Sequence, residues 1–160
     1  MFTPTSNYPK FDVHAHVLPA DIPDFEKQFG YGGFVKLQDN PKNENGSKDM
    51  IKNGRLFRTV EKNCFDTDTR IAEMDACHVN VQAVSTVPVM FHYWAKAGDA
   101  EITSRFINND IYKECRKYPS RLVPVGTLPL QNMDLSLRQI SGLLDLIQYF
   151  SPALKTPYDT

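Results

Sequence analysis

The sequence predicts an α/β fold built on parallel strands, and three observations predict it. Segments of strand and helix character alternate along the chain in the order strand, excursion, helix, strand, helix, strand, helix. That alternation implies parallel pairing through right-handed crossovers. No glycine-rich phosphate loop follows any of the strands. A doubly wound sheet would call for one, so its absence shifts the balance toward a (β/α)8 barrel.

Residues 1–9 are polar and broken by prolines, the pattern of a flexible leader. "FDVHAHVL", Phe11 to Leu18, is short and rich in Phe, Val and Leu, hence a strand. "DIPDFEKQFG" is a short helix candidate, followed by the glycine-broken "YGGF". Residues 39–54, "DNPKNENGSKDMIKNG", are the most polar and turn-rich stretch and read as an exposed excursion. "RLFRTVEKN" fits a small hairpin strand with Leu56 and Arg58 on one face and Phe57 and Thr59 on the other. "DTDTRIAEMDACH" reads as a helix capped by Asp66 or Thr67, with Ile71, Met74 and His78 at helical spacing. "VNVQAVST" is a second strand and "VPVMFHYWAKAG" an apolar, aromatic loop. A long helix runs from near Asp99 to Tyr118, its buried side expected at Ile102, Phe106, Ile107 and Ile111, and Pro119 stops it. "RLVPVGTLPL" is a third core strand. Asp134 is placed to cap a last helix, where Leu137, Ile140, Leu144 and Ile147 form one stripe.

At 160 residues the chain suits one domain, and 41% hydrophobic with 23% charged residues is ordinary for a globular protein. A net charge of −1 gives no electrostatic reason to expect nucleic acid or an anionic membrane as partner. Cys64, Cys77 and Cys115 are odd in number and form no CxxC pair, which argues for a reducing, cytosolic setting. "MFTPTSNYPK" lacks the apolar stretch of a secretory signal, and no run approaches the roughly 18 apolar residues that span a bilayer.

The chemistry-bearing feature is His14 and His16, one residue apart at the end of the first strand. Side chains at i and i+2 share a strand face at about 7 Å, so both imidazoles can reach one Zn²⁺ at about 2.0–2.1 Å. In a barrel the C-terminal end of each strand is where chemistry sits. Asp12 shares strand parity with the pair, placing it either to orient a ligating histidine or to pair with a group deeper in the sheet. His78, at a helix C-terminus, reads as structural and His92 as a surface loop residue outside the site. Met90, Phe91, Tyr93 and Trp94 read as core.

The HxH strand, "FGYGGFVKLQ", "GRLFRTVEKNCFD", "STVPVMFHYWAK" and "GTLPLQ", in that order, resemble the aminocarboxymuconate-semialdehyde decarboxylases of the amidohydrolase superfamily. The resemblance covers about residues 10–140 and implies the N-terminal part, about three βα units, of a distorted (β/α)8 barrel with a small antiparallel insertion after the first strand. It implies one Zn²⁺, no organic cofactor, and loss of carbon dioxide from an amino-dicarboxylate semialdehyde in the kynurenine branch of tryptophan breakdown. His14 and His16 match the first two metal ligands, and Arg58 matches the arginine that holds a substrate carboxylate. Lys52 falls near a lysine at the mouth of the site, a looser match. The remaining ligands and the base histidine would lie beyond residue 160, and no histidine follows His92. "SGLLDLIQYFSPALKTPYDT" does not continue into a fourth strand, so residues 141–160 read as a divergent tail. The expectation is a truncated, inactive form with no catalytic residue of its own. The family is commonly dimeric, which implies a homodimer or pairing with a full-length subunit, and leaves a non-catalytic regulator as the alternative. A metal-dependent hydrolase of the same superfamily is the third.

Overall fold

The computed structural model describes residues 8–42 and 45–150, with residues 143–150 in backbone alone; most of the predicted leader and tail lies outside the described residues. The elements are β1 (Phe11–Val17), α1 (Phe25–Phe29), β2 (Val35–Asp39), β3 (Lys48–Lys52), β4 (Arg55–Val60), α2 (Thr67–Ala76), β5 (Val81–Thr86), α3 (Ala97–Cys115), β6 (Leu122–Pro124) and α4 (Met133–Phe150). β1, β5 and β6 form a parallel sheet in that order. Each new strand adds on the same side as the chain advances, which is the winding of a (β/α)8 barrel. A doubly wound sheet would reverse direction at its switch point.

β2, β3 and β4 form a separate antiparallel sheet between β1 and α2, the insertion expected there. Its middle strand corrects the reading of residues 39–54 as a turn-rich excursion, because Lys48–Lys52 is paired on both sides. Local composition hid this strand: it is made by its two neighbours, and Met50 is its one buried residue. A bulge corrects a second expectation. Met50 lies opposite Arg58 while the next residue, Ile51, lies opposite Leu56, so Phe57 is extra. Leu56 and Arg58 therefore face opposite sides of the sheet rather than sharing one.

The core lies between the parallel sheet and its crossover helices. Along β5, Gln82, Val84 and Thr86 are buried, and Val84 packs with Ala15, Ile71, Met74, Ile107, Ile111 and Leu122. On the opposite face Phe11 (63% exposed) registers with Val81, and Val123 (45% exposed) with Ala83. In a closed barrel that face is the interior.

α2 begins where Asp66 Oδ1 accepts the Thr69 N–H at 2.8 Å, one of the two expected caps. His78 follows the helix in a left-handed conformation, exposed. α3 buries Ala100, Thr103, Ser104, Ile107, Asn108, Ile111 and Cys115, whereas Ile102, expected inside, is 43% exposed. β6 is shorter than "RLVPVGTLPL" suggests. Beyond Pro124 the Val125 N–H still donates to the Val84 carbonyl at 2.9 Å, and further on the chain is held by the reciprocal Asn108–Thr127 bonds, both 2.8 Å. Asn132, not Asp134, caps α4, accepting the Leu135 N–H at 3.0 Å. Among the described side chains of α4 the buried ones are Leu135, Ser136 and Gln139, drawn onto α3 by the Ser104–Gln139 bond of 2.8 Å. Leu137 and Ile140 of the expected stripe are exposed, and the side chains of Leu144 and Ile147 lie outside the described residues.

A second apolar cluster joins the insertion to the loop after β5: Phe25, Phe34, Ala95 and Ala100, flanked by Phe29, Tyr31 and Phe106. Gly33 makes this approach possible. Its φ is +105°, and a Cβ there would lie 2.7 Å from Trp94 Cη2.

Candidate functional site

β1 is not a regular strand. Asp12 registers with Gln82 and Ala15 with Val84, so three residues of β1 span two of β5, and a bulge falls at Val13 and His14. The bulge reverses the parity argument for Asp12. Gln82, its partner, is on the helix-covered face, whereas His16 registers with Ser85 on the open face.

The two histidines do come together, with ring centroids 5.1 Å apart and planes at 88°. His14 is exposed and His16 half-buried. His16 Nδ1 lies 3.1 Å from both the Ser85 hydroxyl and the Thr86 carbonyl. A carbonyl only accepts, so Nδ1 carries the proton and donates, which leaves the Nε2 lone pair free. A ligating histidine uses one ring nitrogen while the other donates to a fixed acceptor, so this arrangement fits a divalent metal ion. Among the described residues no group of three or more His, Cys, Asp or Glu side chains is placed to hold a metal. This part of the chain therefore offers two imidazole donors.

Asp12 does not touch either ring. Its Oδ1 accepts the His14 backbone N–H at 3.0 Å and its Oδ2 accepts Gln82 Nε2 at 2.7 Å. These bonds, the one from His14 foremost, hold its carboxyl below the usual carboxylate range. Arg70 of α2 donates to Gln82 Oε1 and to the His16 carbonyl, both at 2.7 Å. Sequence reasoning missed Gln82 and Arg70. A glutamine at a buried position within the β-branched run "VNVQAVST" was the available signal.

The two other site candidates lie on the antiparallel sheet. Arg58 is exposed on β4, opposite Met50. Lys52 ends β3, half-buried, with Nζ 6.0 Å from the Phe57 ring centroid. Neither has a hydrogen bond, ion pair or ring contact with the histidine pair among the described residues.

His92 overturns its reading as a surface residue. It is 2% exposed, sits at φ +53°, and packs against Phe34 and Trp94 with centroids at 5.0 and 5.9 Å. Neither ring nitrogen has a hydrogen-bond partner among the described residues. Burial, aided by the charge on Lys52, depresses its pKa to about 4, so the ring is neutral at ordinary pH. The aromatic segment is only partly core: Met90 is buried, but Tyr93 and Trp94 are 42% and 50% exposed. Cys64, Cys77 and Cys115 are free thiols, and burial pushes Cys115 up to about 12. No described helix is long and apolar enough to cross a membrane.

Comparison with known proteins agrees with this fold. The amidohydrolase family model matches residues 11–145. A 2-amino-3-carboxymuconate-6-semialdehyde decarboxylase of Caenorhabditis elegans is 53% identical over 156 residues, 98% of this chain and 38% of that protein. This chain thus spans well under half the length of that relative. Among solved structures, the apo IDCase of Metarhizium anisopliae aligns over 88% of this chain and 40% of its own, with TM-score 0.66 and 19% identity. A manganese complex of 5-carboxyvanillate decarboxylase from Novosphingobium aromaticivorans aligns over 84% and 38%, with TM-score 0.58 and 19% identity. With its parallel strands, its inserted antiparallel sheet and its strand-end histidine pair, the chain belongs to the amidohydrolase family and is similar to its decarboxylase members.

Proposed function

We propose that this chain carries the first two metal ligands and the carboxylate-binding arm of a zinc-dependent, non-oxidative decarboxylase of 2-amino-3-carboxymuconate semialdehyde in cytosolic tryptophan catabolism. The observation that carries the reading is the His14–His16 pair, rings together and His16 Nδ1 tied down so that the Nε2 lone pair is left free. The identity with the C. elegans decarboxylase supports the substrate, and the manganese-containing relative supports a divalent ion as cofactor.

When bound, such an ion supplies Lewis-acid character beside the substrate. The chain's own residues do the holding. Arg58 grips a carboxylate through two parallel N–H bonds, which orients the bond that breaks as carbon dioxide leaves. Lys52 adds a point charge at the mouth. The two histidines among the described residues leave zinc two ligands short of its usual four, so the isolated chain is expected to bind the ion weakly and not to turn over.

A chimera in which residues 10–140 replace the matching segment of the C. elegans relative tests this. It is expected to release carbon dioxide from the semialdehyde, and Arg58→Ala to lower kcat/KM by about 10–100-fold, the worth of a charged hydrogen-bond pair. Ester or amide cleavage without carbon dioxide release would favour a hydrolase instead. Robust decarboxylation by the isolated chain would contradict its inactivity. The exposed apolar residues Phe11, Val13 and Val123 favour a second reading, pairing with a complete subunit as a non-catalytic regulator. Co-purification with a full-length subunit checks it.

A further inference from the structure

We infer that Asp12, Gln82 and Arg70 are positioning residues that set the geometry of the metal-ligand pair by clamping the main chain on either side of Ala15. The inference rests on reading His14 and His16 as ligands. The His14 N–H donates to Asp12 Oδ1, Gln82 Nε2 donates to Asp12 Oδ2, Arg70 Nη1 donates to Gln82 Oε1, and Arg70 Nη2 donates to the His16 carbonyl. The circuit leaves β1 at one histidine and returns to it at the other. It draws on β5 and α2, so it fastens the bulge to the two elements that follow the insertion.

Each link has a fixed sense. Asp12 only accepts and Arg70 only donates, so the Gln82 amide has one orientation that satisfies both. The guanidinium fork reaches two acceptors at once, each at 2.7 Å, which a lysine ammonium does not do with the same fixed geometry. Gln82 is 9% exposed and Arg70 half-buried, so water competes poorly for these bonds. A bulge on its own is a local irregularity that could carry His14 and His16 to different directions. The clamp selects the one arrangement in which the rings meet, and it does so from the face opposite the ligands.

The order of donors and acceptors gives a test that packing alone cannot mimic. Gln82→Glu sets two carboxylates face to face, and Asp12→Asn sets two NH₂ groups face to face. The double variant Asp12→Asn/Gln82→Glu restores the circuit. Its side-chain amide at position 12 accepts from the His14 N–H and donates to the carboxylate at position 82, which in turn accepts from Arg70. Shape and net charge match the parent. Zn²⁺ affinity of the full chain is measured by competition with a chromophoric chelator, and amide exchange at His14 and Ala15 in the metal-free chain. Each single variant, and Arg70→Lys, is expected to weaken Zn²⁺ binding by about 10–100-fold, the usual effect of losing a group that orients a ligand. Exchange at His14 should speed up in the same variants, and the double variant should recover both readouts. Unchanged affinity in the single variants, or a double variant no better than they are, overturns the inference while leaving the ligand reading intact. A parent chain that binds no more Zn²⁺ than His14→Ala/His16→Ala overturns both.

Discussion

Phe34→Ala is expected to lower the unfolding free energy by about 4 kcal/mol, within the range for deleting a buried aromatic side chain. Phe34 is 1% exposed at the start of the insertion. Its ring lies 5.8 Å from Phe25, 5.4 Å from both Phe29 and Tyr31, 5.0 Å from His92 and 4.9 Å from Trp94. It is the joint between the antiparallel sheet, which carries Lys52 and Arg58, and the loop leaving β5. Losing it frees that sheet from the loop that leaves the strand flanking the histidines. Trp94 is the only tryptophan in the sequence, so its fluorescence reports on this joint alone. Urea titration should show the loss in stability, with Trp94 emission shifted to the red in the folded variant. A loss under about 1 kcal/mol with unchanged emission would show that the joint lies elsewhere.

Acid should destabilise the fold through His92. Its folded pKa is about 4 against an ordinary 6.5. Above 6.5 the ring is neutral in both states and nothing is lost. As pH falls from 6.5 toward 4 the unfolded chain takes up a proton that the folded chain refuses, so stability drops. Each pKa step is worth about 1.4 kcal/mol, which makes the loss about 3 kcal/mol by pH 4. Asp110 opposes it. Burial and the neighbouring Glu114 raise its carboxyl to about 6, so acidification from there toward 3.8 restores stability that the buried charge removes at neutral pH. Denaturation followed from about pH 7 to 4 should therefore show a shallow fall in the parent. The fall should disappear in His92→Gln and steepen in Asp110→Asn. An unchanged slope in His92→Gln would mean that the imidazole is not held neutral by the fold.

The parallel architecture was legible because strand and helix patterns alternate strongly and each helix has a definable start, as at Asp66. The histidine pair was legible because a two-residue spacing on a strand carries geometry with it. What escaped the sequence was set by partners far along the chain. The bulge in β1 exists only against the register of β5, so parity left Asp12 open between orienting a histidine and pairing within the sheet, and only the register shows it opposite Gln82. His92 reads as exposed until Phe34 and Trp94 close around it. β3 is a strand because β2 and β4 flank it, not because its residues prefer to be one. Along α4, periodicity located an apolar face, but the hydrogen bond from Ser104 to Gln139 brought a neighbouring face onto α3. Gln82 was visible only as a polar residue in apolar company, and Arg70, at the end of the polar run "DTDTR", gave no such signal.

Central to the account is that His14 and His16 share one cation. The most direct measurement is Zn²⁺ binding by the full chain, compared with His14→Ala, His16→Ala and the double variant under conditions where all four remain folded. The account predicts one zinc-binding event in the parent that is weakened by either single change and absent from the double variant. Equal zinc binding by the parent and the double variant would contradict it.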